Sequence, residues 1–176
     1  MLRKSAGLLF FRYTSSGPLE VLLVHPGGPY WAKKDEGAWS IPKGECEESE
    51  DPMEAARREF TEETGFSPAG DLIPLEPLRQ PSGKTIYAWA VKGDFDPTQL
   101  TSDLFSMEWP PKSGRQQEFP EIDRGGWFTI ELAMKKILKG QAGFLVQLQE
   151  KLSGSHAPPA DDSNRRIQQV SLLDSN

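Results

Sequence analysis

The chain of 176 residues has the length of one globular domain, and 36% of its residues are hydrophobic. This composition excludes a wholly disordered chain, and no apolar run reaches the ~18 residues that a membrane-spanning helix needs. Twenty Lys and Arg residues against 26 Asp and Glu residues give a net charge of -6, which argues against a protein that coats nucleic acid. If such an acidic chain handles an anionic substrate, positive charge must be supplied locally.

The first quarter of the chain predicts strands joined by turns and one long loop. Residues 6–11 are apolar on both faces of a strand, which is typical of a central strand covered on both sides. A turn at residues 15–18 leads to a second apolar strand at residues 19–24. Residues 26–37 predict a loop rich in glycine and proline, and residues 38–41 predict a short strand.

The clearest helix is predicted at residues 52–64. Asp51 is a good N-cap, Pro52 fits the first helical position, and Glu54 completes a capping box with Asp51. Gly65 is the typical residue just beyond a helix end. These start and stop signals agree on one helix of about three and a half turns.

The second half of the chain alternates predicted strands and helices. Strands are predicted at residues 72–78, 85–91, 105–109 and 122–128, and helices at residues 130–138 and 144–152. Strands that precede and follow helices predict an α/β fold with a mixed β-sheet sandwiched between helices. Because residues 153–176 are poor in large apolar side chains, we predict one domain of residues 1–152 and a flexible tail of residues 153–176.

Three glutamates share one side of the predicted helix. At about 100° per residue, Glu59, Glu62 and Glu63 fall within an arc of about 100°, beside the apolar stripe. Taken alone, such a cluster is typical of a solvated charged face. Partly buried carboxylates on adjacent turns repel one another, however, and a bound cation relieves that repulsion. Mg²⁺ prefers oxygen ligands, so the cluster is also compatible with a divalent-cation site.

The glutamates belong to a longer pattern of fixed spacing. Gly44 is followed after five residues by Glu50 and, after seven more, by residues 58–66, which read Arg-Glu-Phe-Thr-Glu-Glu-Thr-Gly-Phe. This pattern resembles the signature of the Nudix hydrolases at every position. The lead-in at residues 39–44 also resembles that family. Residues 84–89 resemble a strand of the small diadenosine tetraphosphate hydrolases.

The resemblance implies a chemistry and a metal site. Nudix enzymes hydrolyse compounds in which a nucleoside diphosphate is linked to another group. Their metal ligands correspond to Glu59, Glu62 and Glu63, and the backbone carbonyl of Lys43 completes the site. The expected cofactor is Mg²⁺ or Mn²⁺, which would bring the positive charge that this acidic chain needs.

The resemblance also assigns supporting roles. Arg58 is counted with the catalytic groups and is expected to form a helix-supporting ion pair with Glu50. Gly44 and Gly65 are expected to set backbone turns. Glu121 matches the placement of a downstream catalytic glutamate, which either binds a further metal or accepts the proton from water; the assignment of the general base stays open.

Four further residues are candidates for substrate binding. Lys43 and Lys84 are candidate phosphate contacts, since lysine offers a point charge, although each could equally be a solvated side chain. Trp31, in the Gly/Pro loop, and Tyr87 are candidates for stacking on a base.

The sequence leaves several substrates open. Several cations suit a chain of three or more phosphates, which favours dinucleoside polyphosphates or nucleoside triphosphates. Pro81 stands fifteen residues after Phe66, where ADP-ribose pyrophosphatases carry a proline, although a hairpin turn would also contain one. Hydrolysis of the 5′ end of an RNA stays open as a further activity, provided that the chain contacts only a short stretch at that end. A non-catalytic Nudix-fold binding module is the alternative outside the enzymes, but such modules usually have an eroded signature.

Partners and location follow from the same features. We expect a small-molecule nucleotide substrate, no long nucleic acid, no membrane, and a monomer or homodimer. The single Cys46 excludes an internal disulfide framework, which suits a reducing compartment. No signal-peptide pattern precedes the first predicted strand, so the expected location is cytoplasmic.

Overall fold

The computed structural model describes residues 3–154, which form a mixed sheet between helices. The strands are β1 Lys4–Tyr13, β2 Leu19–Pro26, β3 Lys43–Glu45, β4 Leu72–Arg79, β5 Thr85–Lys92, β6 Leu104–Glu108, β7 Gln116–Pro120 and β8 Ile122–Thr129. The helices are α1 Pro52–Thr64, α2 Ile130–Lys136 and α3 Ala142–Gly154, with short 3₁₀ turns at Pro97–Gln99 and Lys139–Gln141. No helix in the described part of the chain is long and apolar enough to cross a membrane.

The main sheet has the order β4-β5-β1-β2-β8, and β3 pairs with β1. Strands β1 and β5 are parallel, whereas the other pairs in this sheet are antiparallel. Strands β6 and β7 form a separate antiparallel hairpin, which we call the arm. The predicted α/β fold with a mixed sheet between helices is therefore confirmed.

Strand β1 shows why the sheet lies in the middle of the fold. Leu8 and Phe10 join the core cluster that contains Phe60 of α1, whereas Leu9 and Phe11 join the opposite cluster. That second cluster contains Phe144 of α3. Because successive side chains point to opposite faces, a strand that is apolar at every position must be covered on both sides. The expectation of a central strand is confirmed.

Helix α1 begins and ends where its capping residues predict. The Asp51 side chain accepts hydrogen bonds from the backbone N–H groups of Met53 and Glu54. Gly65 has φ 78°, and its N–H donates to the carbonyl of Thr61. Only glycine adopts this left-handed conformation at little cost, which explains the sharp end of the helix.

One predicted strand is misplaced, and one strand of the structure is absent from the prediction. The predicted strand at residues 38–41 is reduced to isolated bridges of Trp39 and Ser40, and the regular strand is β3 instead. Strand β7 was not predicted, because its residues are mostly exposed and lack the alternation of apolar side chains that marks a half-buried strand.

The last helix ends slightly later than predicted. Helix α3 continues to Gly154, two residues beyond the predicted helix end at residue 152. The remainder of the predicted tail, residues 155–176, lies outside the described residues.

Candidate active site

Strand β3 brings the backbone of Lys43 and Gly44 against two carboxylates of α1. The backbone N–H of Lys43 donates to Oε2 of Glu63 at 2.9 Å. A Cβ atom on Gly44 would lie 1.8 Å from Oε2 of Glu59, so any larger residue would collide with this carboxylate. Two consecutive backbone positions, Lys43 and Gly44, therefore lie against Glu63 and Glu59. Position 44 has no room for a side chain, so it requires glycine.

Arg58 holds the carboxylates of three glutamates. Its Nε and Nη2 donate to the two carboxylate oxygens of Glu50 at 2.8 and 2.9 Å, a bidentate geometry. Its Nη1 donates to Glu59 at 2.8 Å and to Glu62 at 3.1 Å. The Glu50 bonds lower the pKa of this carboxyl to about 2, and the three carboxylates together raise the pKa of Arg58. Arg58 thus organises the charged side of α1.

Burial and neighbouring negative charges raise the pKa of three carboxyl groups at this site. Burial is the main cause that raises the pKa of Glu63 to about 8, and the charges of Glu59 and Glu121 add to it, against the opposing effects of Lys43. Burial also raises the pKa of Glu59 and of Glu121. Because Glu121 acts on both Glu59 and Glu63, the fold brings this distant residue of the chain to the end of α1 that bears them.

The donor set fits a hard divalent cation in its chemistry. The carboxylates of Glu59, Glu62, Glu63 and Glu121 offer only oxygen ligands, and their excess negative charge favours a bound cation. Within residues 3–154, however, no three His, Cys, Asp or Glu side chains converge into a ready-made metal site. Two of the four carboxylates are instead held by Arg58, so cation binding would exchange hydrogen bonds to Arg58 for coordination.

Two cavities meet beside these carboxylates. The smaller one, of about 180 Å³, is lined by Lys43, Glu63 and Glu121 among others; we call it the carboxylate cavity. The larger one, of about 420 Å³, lies between residues 27–31 and the arm; we call it the apolar cavity. Trp31 and Glu121 line both cavities, so the two form neighbouring compartments of one cleft.

The structure separates the four candidate substrate-binding residues. Lys43 lies in the carboxylate cavity, where burial lowers the pKa of its ammonium group, and Trp31 lies where the two cavities meet. Lys84 makes an ion pair with Glu45 at 3.3 Å, and its charge also acts on Lys43. Tyr87 packs on the core cluster beside α1 and lines neither of these cavities. A stacking role for Tyr87 therefore gains no support from its position.

Sequence reasoning missed the residue that holds the loop after β2. His25 is fully buried; its Nε2 donates to the carbonyl of Lys34 at 2.6 Å, and its Nδ1 lies 2.8 Å from Oδ1 of Asp123. These contacts tie residues 26–37 to β8, two residues from Glu121. A histidine at the end of an apolar strand, directly before a Gly/Pro loop, was the available signal, but its partner Asp123 is 98 positions away in the chain.

Gly44→Ala is expected to lower activity by about 100-fold with little change in melting temperature. The new methyl group displaces the flexible end of Glu59, which breaks its bond to Arg58 and misplaces a carboxylate of the candidate site. A suitable control is Gly154→Ala, because nothing lies within 4 Å of a Cβ at that position. Equal activity of the two variants in a nucleotide hydrolysis assay would contradict the assignment of Glu59 to the site.

The fold, together with the sequence pattern of residues 44–66 that ends on α1, is typical of a class of phosphoanhydride hydrolases. The chain belongs to this class, the Nudix family: the NUDIX domain matches residues 1–148. It is a Nudix pyrophosphohydrolase that acts on nucleotide compounds, and the family generally uses a divalent metal ion.

Known proteins resemble this chain in sequence and in structure. An RNA pyrophosphohydrolase of Bartonella henselae is 33% identical over 168 residues, which covers 87% of this chain and 91% of that protein. The Ap4A hydrolase of C. elegans in a binary complex has a TM-score of 0.61 at 22% identity, covering 87% of this chain and 99% of that one. The NUDIX domain of Shewanella oneidensis NrtR, complexed with ADP ribose, has a TM-score of 0.61 at 16% identity, covering 86% and 89%.

Proposed function

We propose that this enzyme hydrolyses a phosphoanhydride bond in dinucleoside polyphosphates such as diadenosine tetraphosphate, and also in nucleoside triphosphates. The observation that carries this proposal is the cleft itself. One compartment combines Lys43 with carboxylates, and the next compartment is apolar and aromatic. A nucleotide has the same division, with an anionic phosphate chain at one end and a flat base at the other.

We assign the metal ion to the three glutamates of the Nudix signature. We propose that Glu59, Glu62 and Glu63, with the backbone carbonyl of Lys43, hold Mg²⁺ or Mn²⁺. The bound ion would neutralise phosphate charge and activate a water molecule. Gly44 supports this assignment because the absence of a side chain lets the backbone of residues 43–44 lie close to the carboxylates of Glu59 and Glu63.

Glu121 is proposed as the proton acceptor. It lines both cavities, and its raised pKa makes it a stronger base than an ordinary carboxylate. A base must lie within hydrogen-bond reach of the attacking water, and a carboxylate at the junction of the two compartments satisfies that need for a phosphate bound beside Lys43.

The lysines favour a long phosphate chain. Lys43 lies in the carboxylate cavity, and Lys84 is close enough for its charge to lower the pKa of Lys43. Each additional phosphate gains from its own charge-assisted contact. The pair therefore supports a substrate with three or more phosphates rather than the two of ADP-ribose. Pro81 lies in the turn between β4 and β5, where a hairpin accounts for it without a role in substrate choice.

A second candidate substrate is the triphosphorylated 5′ end of an RNA. The relative that is 33% identical bears the name RNA pyrophosphohydrolase, and its likeness spans most of both chains. The cleft would take only the terminal nucleotide, which agrees with the net charge of -6, because a long electrostatic track for RNA is not expected on so acidic a chain.

A side-by-side measurement of kcat/KM tests the choice. With Mg²⁺ present, we expect diadenosine tetraphosphate to be cleaved at least about tenfold more efficiently than ADP-ribose, a difference of about 1.4 kcal/mol in transition-state stabilisation. Lys84→Ala should lower kcat/KM more for the tetraphosphate than for ADP-ribose. A 5′-triphosphorylated oligonucleotide is measured in the same series. A clearly higher kcat/KM for this substrate would favour the RNA 5′ end over dinucleoside polyphosphates. A tenfold preference for ADP-ribose would overturn both.

A further inference from the structure

We propose that the apolar cavity is a purine-binding pocket, and that Phe105 and Met107 of the arm determine the preference for the base. This inference rests on the proposed function, because it assigns the nucleoside end of the same substrate. The pocket shares Pro26, Trp31 and Glu121 with the carboxylate cavity. A base bound there would stand next to the phosphate chain without leaving the cleft.

The lining of the pocket selects a flat, uncharged group. Tyr30, Trp31, Phe105 and Met107 supply its walls, and Glu121 is the only charged residue among those that line it. A phosphate would find no cation in this lining, whereas the carboxylate cavity offers Lys43. Aromatic walls, in contrast, stack on any base because every base has a π-face. The volume of about 420 Å³ falls in the range of small-molecule sites and leaves room for a nucleoside.

The pocket is built by a close fit between residues 27–31 and the arm. A Cβ atom on Gly27 would lie 1.9 Å from the carbonyl oxygen of Pro120, and one on Gly28 would lie 2.9 Å from the ring of Phe105. Gly28 also has φ 91°, a conformation that other residues rarely adopt. The two glycines therefore allow an approach that no side chain would permit.

Two further contacts hold the walls in place. The N–H of Gly27 donates to the carbonyl of Glu121 at 2.9 Å, which ties the loop to the residue at the junction of the cavities. The rings of Tyr30 and Trp109 meet edge to face with centroids 5.4 Å apart, which ties the loop to the arm. Both walls are thereby positioned before a ligand binds, which lowers the entropy that binding must overcome.

Ring size, rather than a pattern of hydrogen bonds, is expected to set the preference. The side chains that line the pocket include no Asn, Gln or Arg to pair with two atoms of a base edge. Stacking gains from contact area, and a purine offers more area than a pyrimidine. We therefore expect adenine and guanine to bind alike and both to bind more tightly than cytosine.

Binding of uncleavable analogues tests the pocket separately from turnover. Isothermal titration calorimetry with Mg²⁺ compares a methylene-bridged ATP analogue, the matching CTP analogue, and a methylene-bridged triphosphate that carries no nucleoside. The full chain should bind the ATP analogue about tenfold more tightly than the CTP analogue. Phe105→Ala should lose about tenfold in affinity for the ATP analogue and nothing for the compound without a nucleoside, and Met107→Ala should act in the same direction.

The arm provides a matched control. Leu104 precedes Phe105 on β6, is 58% exposed and does not line the pocket, so Leu104→Ala should bind all three compounds like the unmodified chain. The proposal is overturned if Phe105→Ala and Met107→Ala leave the affinity for the ATP analogue unchanged, if they weaken the compound without a nucleoside equally, or if the unmodified chain does not bind the ATP analogue. If the binding pattern holds but no nucleotide is hydrolysed, the pocket stands and the proposed function falls.

Discussion

Glu63→Gln is expected to lower kcat for nucleotide hydrolysis by at least ~100-fold and to leave the chain folded. Glutamine keeps the shape of the side chain, and its amide oxygen still accepts the hydrogen bond from the N–H of Lys43. The substitution removes one negative charge from the proposed cation site, and the loss of a group that stabilises the transition state typically has this magnitude. Burial raises the pKa of Glu63 to about 8, so ionisation of this carboxyl in the folded chain is unfavourable; a neutral amide avoids that cost, and the melting temperature should not fall.

Glu47→Gln is the matched control for this substitution. Glu47 is exposed and contributes its backbone N–H, not its carboxylate, to a hydrogen bond with Glu50. Its neutralisation should therefore change kcat by less than about twofold, as expected for a surface substitution away from the site. Equal reductions of kcat by Glu47→Gln and Glu63→Gln would show that activity depends on the total charge of the acidic segment. That result would contradict the assignment of Glu63 to the cation site.

The fold was predictable where a local pattern and its tertiary environment agree. The cap residues Asp51 and Gly65 lie directly at the two ends of α1, so the local sequence alone indicates where this helix begins and ends. Strand β1 is apolar throughout, and the only environment that satisfies such a strand is a covered position in a sheet. Strand β3 has only three residues and owes its existence to pairing with β1, so the pattern of residues 38–41 predicted a strand a few positions too early.

The site was predictable only in part, for a similar reason. The signature places Glu59, Glu62 and Glu63 on one side of one helix, and periodicity alone shows that they are neighbours. That Arg58 bonds to Glu59 and Glu62, and so holds two carboxylates of the proposed cation site, depends on side-chain conformations that spacing does not specify.

The walls of the apolar cavity depend on contacts between distant segments. Phe105 lies in a short strand with weak alternation, and its partner segment at residues 27–31 reads as an ordinary loop. Their approach depends on Gly27 and Gly28 fitting against the arm, and no local property of either segment encodes that fit. The position of Tyr87, on the core beside α1, likewise depends on the face of β5 that the sheet turns toward the helix.

Removal of divalent ions is expected to abolish turnover. With excess chelator, hydrolysis of diadenosine tetraphosphate or a nucleoside triphosphate should fall below detection, and added Mg²⁺ or Mn²⁺ should restore it. The reason is electrostatic: burial and neighbouring carboxylates raise the pKa of Glu59, Glu63 and Glu121, and a phosphate chain brought among them would add further negative charge. Full activity in excess chelator would remove the basis of the proposed chemistry.

The same ions should stabilise the chain in the absence of substrate, and the size of the effect reports on the site. An ion at ten times its Kd contributes about 1.4 kcal/mol, or several degrees in melting temperature for a domain of this size. Before the ion can coordinate Glu59 and Glu62, the hydrogen bonds that Arg58 donates to these two carboxylates must break. The bond to Glu62 joins residues four apart on one helix, a type of contact that contributes only about 0.3–0.5 kcal/mol, so coordination should prevail. Glu63→Gln should reduce the shift in melting temperature, and Glu47→Gln should preserve it. An equal shift in both variants would locate the ion elsewhere on the acidic surface.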